Sequence, residues 1–149
     1  MNGRRLALGL ALAVVTGACH SGGAKPKADA VRTVVEGPVA KYREIVVVAG
    51  DRRVVVPNDQ VSRLAPLLAA RAVPAAEPLA SYGLDPPRAR VEYATSTGAP
   101  IVVDIGTTDF DHHFVYVVRR PDRTTIDLVP NDVLAPVLRQ VGIDLPPPA

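Results

Sequence analysis

Asp109, Asp111, His112 and His113 form the densest group of potential metal ligands in the chain. Carboxylate and imidazole together suit zinc or another transition metal. Side chains alternate along an extended segment, so the adjacent His112 and His113 are expected to point to opposite faces. One of them plus a carboxylate can share a metal, and further ligands must then come from elsewhere. The only other histidine is His20, in a Gly-containing stretch near the N-terminus. A polar connection between two strands explains the same residues more simply. A metal or small-ligand site on the loop Asp109, Asp111, His112 and His113 is kept as the alternative.

The remaining acids are weaker candidates. Asp104 and Asp127 would make a carboxylate pair if their strands were adjacent and in register. Each alternates with apolar neighbours, so both are expected on a solvated sheet face. Asp85 sits before Pro86 and is expected to cap backbone N–H groups in a turn, as Asp often does. Ser62, Ser81 and Ser96 lack the strand–turn–helix setting of an activated nucleophile, and no Gly-rich phosphate loop follows a strand. These observations predict no catalytic residue, no cofactor and no enzymatic activity.

Cys19 carries a different chemistry. Arg4 and Arg5 open the chain, an apolar run spans Leu6 to Val15, and Thr16-Gly17-Ala18 precedes the lone cysteine. The run is about ten residues, against the roughly 20 of a spanning helix. With its small-residue cleavage site it reads as a processed signal. Small residues directly before a single cysteine are what a bacterial lipoprotein signal requires. Residues 1–18 are therefore expected to be cleaved and the Cys19 thiol to receive a diacylglycerol, placing the protein on a membrane of the cell envelope. The following residue is His20 and not Asp, which in a two-membrane bacterium favours the outer membrane over the inner and a domain facing the periplasm.

Removing residues 1–18 also changes the charge. Of 17 Lys and Arg, two leave with the signal, and the remaining 15 equal the 15 Asp and Glu. A neutral, interspersed surface argues against nucleic acid and against a polybasic membrane patch. A single cysteine excludes an intramolecular disulfide and a CxxC site. Stability must then come from a hydrophobic core, which one domain of this size can supply.

The elements that position these groups are legible from periodicity and punctuation. Residues 19–40, with Gly, Lys, Ser and Pro26, read as the lipidated cysteine and its tether, although Val31 to Val35 has the look of a first extended segment. Residues 41–149 read as one domain. Ile45 to Val48 and Val54 to Val56 flank Gly50-Asp51 and predict a hairpin with positive φ at Gly50. Val61, Leu64 and Leu68 recur at helical spacing after Asn58, with Pro66 as an obstacle. Pro78 is expected to open a short helix that Gly83 ends in the left-handed region, with Leu84 packing back. Alternation over 89–93, 101–105, 114–119 and 126–128 predicts an antiparallel meander. A last helix is expected from Asp132 to Val141, ended by Gly142. Val56-Pro57-Asn58-Asp59 recurs as Val129-Pro130-Asn131-Asp132, each a strand handing over to a helix. The expected fold is α+β: an antiparallel sheet of about six strands, hairpin plus meander, with two or three helices packed on one face.

The run Tyr82, Gly83, Leu84, Asp85, Pro86 and Pro87, then a strand from Ala89 to Tyr93, Gly98 in a turn, Ile105-Gly106 ending a strand and Tyr116 in the next, resembles a bacterial family. That family is the domain of unknown function 4340, whose members are often envelope lipoproteins with antiparallel strands and flanking helices. The resemblance covers roughly Leu79 to Leu138 and departs in the Asp109 to His113 loop. It implies no activity and transfers no catalytic residue. The expected function is a non-catalytic interaction or assembly module, with the membrane and another envelope protein as partners and no nucleic acid.

Overall fold

A computed structural model describes residues 31–149. The signal and Cys19 lie outside the described residues. Nine strands follow in chain order: β1 (Arg32–Val35), β2 (Tyr42–Ala49), β3 (Arg52–Val55), β4 (Leu67–Ala69), β5 (Arg71–Pro74), β6 (Ala89–Thr95), β7 (Ile101–Thr108), β8 (Phe114–Arg119) and β9 (Thr125–Pro130). Two α-helices, α1 (Asn58–Val61) and α2 (Asn131–Arg139), follow β3 and β9. Seven strands form one antiparallel sheet in the order β3-β2-β6-β7-β8-β9-β5, and β1 pairs with β4 in a separate ribbon. The described residues are thus mostly β, with one strand more in the main sheet than expected and little helix.

The hairpin forms as its residues dictate. β-Branched side chains fill β2, Ala49 pairs with Arg52, and Gly50 turns the chain at φ 54°. The meander β6–β9 pairs each strand with its neighbour. One face of the sheet, through Ile45, Val47, Val91, Tyr93, Val103, Val115, Val117 and Val129, belongs to the main core. Val34, Val35, Leu67 and Ala69 of the ribbon and Leu134, Val137 and Leu138 of α2 join the same core. Each fully buried Leu or Val contributes about 1.5–3 kcal/mol. Tyr93 also brings a hydroxyl inside, and it donates to the Leu64 carbonyl at 3.0 Å. Burial pushes that phenol well above its usual range.

Three expectations need correction. The tether does not reach residue 40, because β1 begins at Arg32 and buries Val34 and Val35. The helix expected through Leu68 stops at Val61. Pro66 has no N–H to continue the ladder, and Leu67–Ala69 becomes a strand instead. The Ala- and Pro-rich segment after it holds β5, which pairs with β9 from Arg71↔Leu128 to Pro74↔Thr125. As an edge strand, β5 tolerates its proline.

α2 keeps Pro136 inside it. The missing N–H would have bonded the Asp132 carbonyl, four residues back. Arg63 Nη1 donates to that carbonyl instead, at 3.4 Å. Gly142, at φ 78°, ends the turn after α2, with Ile143 N–H bonded to the Leu138 carbonyl. The two Val-Pro-Asn-Asp segments both hand a strand to a helix, yet of their two asparagines Asn131 is buried and Asn58 is exposed.

Candidate functional site

The Asp109–His113 loop joins β7 to β8, as expected of a polar connection. Its ends are tied by two bonds: Asp109 N–H donates to the Phe114 carbonyl, and Phe114 N–H to Asp109 Oδ1, both at 2.9 Å. His112 takes a left-handed conformation at φ 61° and its N–H bonds the Asp109 carbonyl at 3.2 Å. The two histidines therefore do not alternate as in an extended strand. His112 Nδ1 lies 2.8 Å from Thr108 Oγ1, while His113 Nε2 lies 4.0 Å from Asp111 Oδ2. Asp111 and His113 are brought together; Asp109 and His112 are occupied with the turn itself. Among the described residues no group of three His, Cys, Asp or Glu side chains converges as a metal site.

Asn131 explains why this loop is held. Its Nδ2 donates to the carbonyls of His112 at 2.8 Å and Pro146 at 2.9 Å, and its N–H to the carbonyl of His113 at 2.9 Å. Ala149 N–H bonds the Asp111 carbonyl at 3.0 Å. One buried amide thus fastens the hairpin loop to the tail beyond α2. The sequence singles out its position through the Val-Pro-Asn-Asp echo, but only as the place where a strand hands over to a helix. No side-chain cap is formed by the preceding Pro130, and the Asn side chain reaches across.

The run Tyr82–Pro87 is a packing device. A 3-10 helix over Leu79–Tyr82 follows Pro78, and Gly83 ends it at φ 68°, as expected. Leu84 N–H bonds the Leu79 carbonyl at 2.9 Å, and Leu84 is buried with Val118 and Ile126 in a second core on the opposite face of the sheet. Tyr82 meets Tyr116 edge-to-face at 5.1 Å. Gly106 lies under Tyr82 and Leu84, where any Cβ would strike the Tyr82 carbonyl oxygen. Gly106 does not end a strand; β7 continues to Thr108 with an irregular register between Ile105 and Thr108. The Asp85 carboxylate makes an ion pair with Arg123 Nη2 at 3.3 Å and is exposed, where it was expected to cap the turn.

Asp104 and Asp127 overturn the expectation of a solvated face. They are 3% and 1% exposed, and β8 separates their strands, so they form no pair. Asp104 pairs across with Val118 and Asp127 with Val117, which puts them on opposite faces. Arg120 clasps Asp104 in a fork, Nε to Oδ2 at 2.7 Å and Nη2 to Oδ1 at 2.9 Å. Asp127 lies beneath the ribbon with Arg32 Nε 3.3 Å from its Oδ1. Burial pushes the Asp127 carboxyl above its usual range, only partly opposed by Arg32. Farther along the second face, Glu92 accepts from Arg53 and Arg90. The hydrogen bond from Arg53 holds the Glu92 carboxyl below its usual range.

The shift at Asp127 has a pH consequence. A raised folded-state pKa means that folding favours the protonated acid, so its stabilising contribution is full below the unfolded pKa near 3.8 and is lost as pH rises through the folded value. Asp127→Asn is expected to unfold at higher urea than the parent at pH 7, with the difference shrinking toward pH 3.5. Paired urea titrations at the two pH values check it.

The sequence missed one surface altogether. The outer side of the β1–β4 ribbon forms an open groove of about 340 Å³ against Pro130 and Val133. The sequence hides it because Val61, Leu64 and Leu68 have helical spacing, whereas Leu68 lies in β4. The alternation Val31, Thr33 outward against Val34 inward was the available signal. No family model matches the chain, and no curated protein and no solved structure matches it.

Proposed function

We propose that the chain is a lipid-anchored bacterial envelope protein whose domain is a non-catalytic interaction or assembly module facing the periplasm from the outer membrane. The observation that carries it is the sequence Thr16-Gly17-Ala18-Cys19 after a short apolar run with a basic start. The chemistry-bearing side chains of the domain lend support. Asp104 is engaged by Arg120, Asp109 and His112 by the β7–β8 turn, and Asp85 by Arg123. The likeness to the domain of unknown function 4340 family is part of the same proposal. Its matching residues Tyr82, Gly83, Leu84, Gly106 and Tyr116 pack as one unit, which suits a shared fold and brings no activity.

Cys19→Ala is expected to abolish incorporation of labelled palmitate and to leave an unprocessed precursor on a gel. Labelling that survives the change overturns the anchor. A pull-down from intact envelope that yields no reproducible partner counts against the module.

A further inference from the structure

A solvent-facing ribbon face is ordinarily polar, since alternation gives one face to the core and the other to water. The β1–β4 ribbon departs from this. Thr33 pairs with Leu68, and both point away from the buried Val34, Leu67 and Ala69. Val31 and Leu68 remain 66% and 41% exposed. With Pro66, Ala70, Pro130 and Val133 they line the apolar groove, and Arg63 supplies the one charged side chain in its wall. An apolar face rimmed by polar groups marks an interaction surface.

The occupant follows from where the chain arrives. Val31, at the lip of the groove, is twelve positions after Cys19. A segment of that length spans at most about 40 Å fully extended. A lipid on Cys19 therefore holds this groove within that distance of the bilayer. Arg63 at the groove complements phosphate headgroups.

We propose that the outer face of the β1–β4 ribbon is a membrane-docking surface: Val31 and Leu68 enter the interfacial layer of the phospholipid bilayer, and Arg63 meets headgroup phosphate. This rests on the lipid anchor proposed above and adds a fixed orientation to it. With the ribbon against the bilayer, the domain is restrained in the way it faces the periplasm.

The test uses the full lipidated chain, in which the thiol of Cys19 is blocked by its lipid. Leu68→Cys and, as a control, Phe110→Cys each carry a bimane probe; Phe110 is 100% exposed in the β7–β8 loop. Both proteins are reconstituted into phosphatidylethanolamine–phosphatidylglycerol vesicles with nitroxide groups placed shallow in the acyl chains. The probe at 68 is expected to lose most of its fluorescence while the probe at 110 keeps it. Equal fluorescence at the two sites, in protein shown to carry palmitate, overturns the docking surface. So does a probe at 68 that is shielded from the nitroxide by a protein partner. Val31→Cys repeats the measurement at the end of β1 should the change at 68 disturb folding. If palmitate is not incorporated, the anchor itself fails, and quenching at 68 with added vesicles, measured with Cys19→Ser so that only position 68 carries the probe, still decides the docking surface.

Discussion

Gly106→Ala is expected to lower stability by about 3 kcal/mol, the upper part of the usual range for overpacking. The added methyl would land on the Tyr82 carbonyl oxygen and press on Leu84 Cγ, at 3.0 Å, from the buried interior of β7. Backbone cannot swing aside as the tip of a side chain can, so the segment Leu79–Pro87 must lift from the sheet. That lifting uncovers Leu84, Val118 and Ile126 and parts the Tyr82–Tyr116 contact. Gly98→Ala is the matched control, because its Cβ meets only Thr95 Oγ1 at 3.7 Å. Urea unfolding of both variants decides it: a parent-like midpoint for Gly106→Ala means that the motif does not pack as described.

Arg120→Leu is expected to cost about 3 kcal/mol, the low end for breaking a buried pair, since Arg120 is itself 44% exposed and water partly screens what remains. The loss comes from Asp104, left charged beside Val118 with neither oxygen bonded by the guanidinium. Replacing both residues, Asp104→Leu with Arg120→Leu, is expected to recover most of it, because no orphaned charge is left. A double-mutant cycle in urea measures the coupling. Additive single losses would mean that the fork contributes nothing beyond its two side chains.

These two sites mark how far sequence reasoning carries. The hairpin at Gly50, the meander and the Gly83 turn were legible because each rests on local chemistry: positive φ, period-two alternation, a helix stop. The burial of Asp104 and Asp127 was not, because alternation separates two faces without saying which face is covered. Asp104 is covered by Arg120 in the β8–β9 turn, and Asp127 by a ribbon whose two strands are separated by the 31 residues 36–66. β4 and β5 were missed for a related reason. Leu64-Ala65-Pro66-Leu67-Leu68 has helical spacing, and only the contacts of Leu67 with the core override it. At the loop, the ligand-like residue types were plain from the sequence, but not that Asn131 and the tail would fix the backbone around them.

The strand order has a consequence for how the chain reaches this state when it emerges N-terminus first. β5 ends at Pro74, yet its sheet neighbour is β9, which begins at Thr125, and β4 and α2 also lie against the last strands. Until residue 130 has emerged, the β1–β4 ribbon has no complete floor, and its buried Val34, Val35, Leu67 and Ala69 lack the cover of β9 and α2. Long-range pairing of this kind is slow and leaves apolar surface open in the meantime. In a chain that emerges from its N-terminus, this apolar surface therefore stays open until β9 and α2 arrive to cover it.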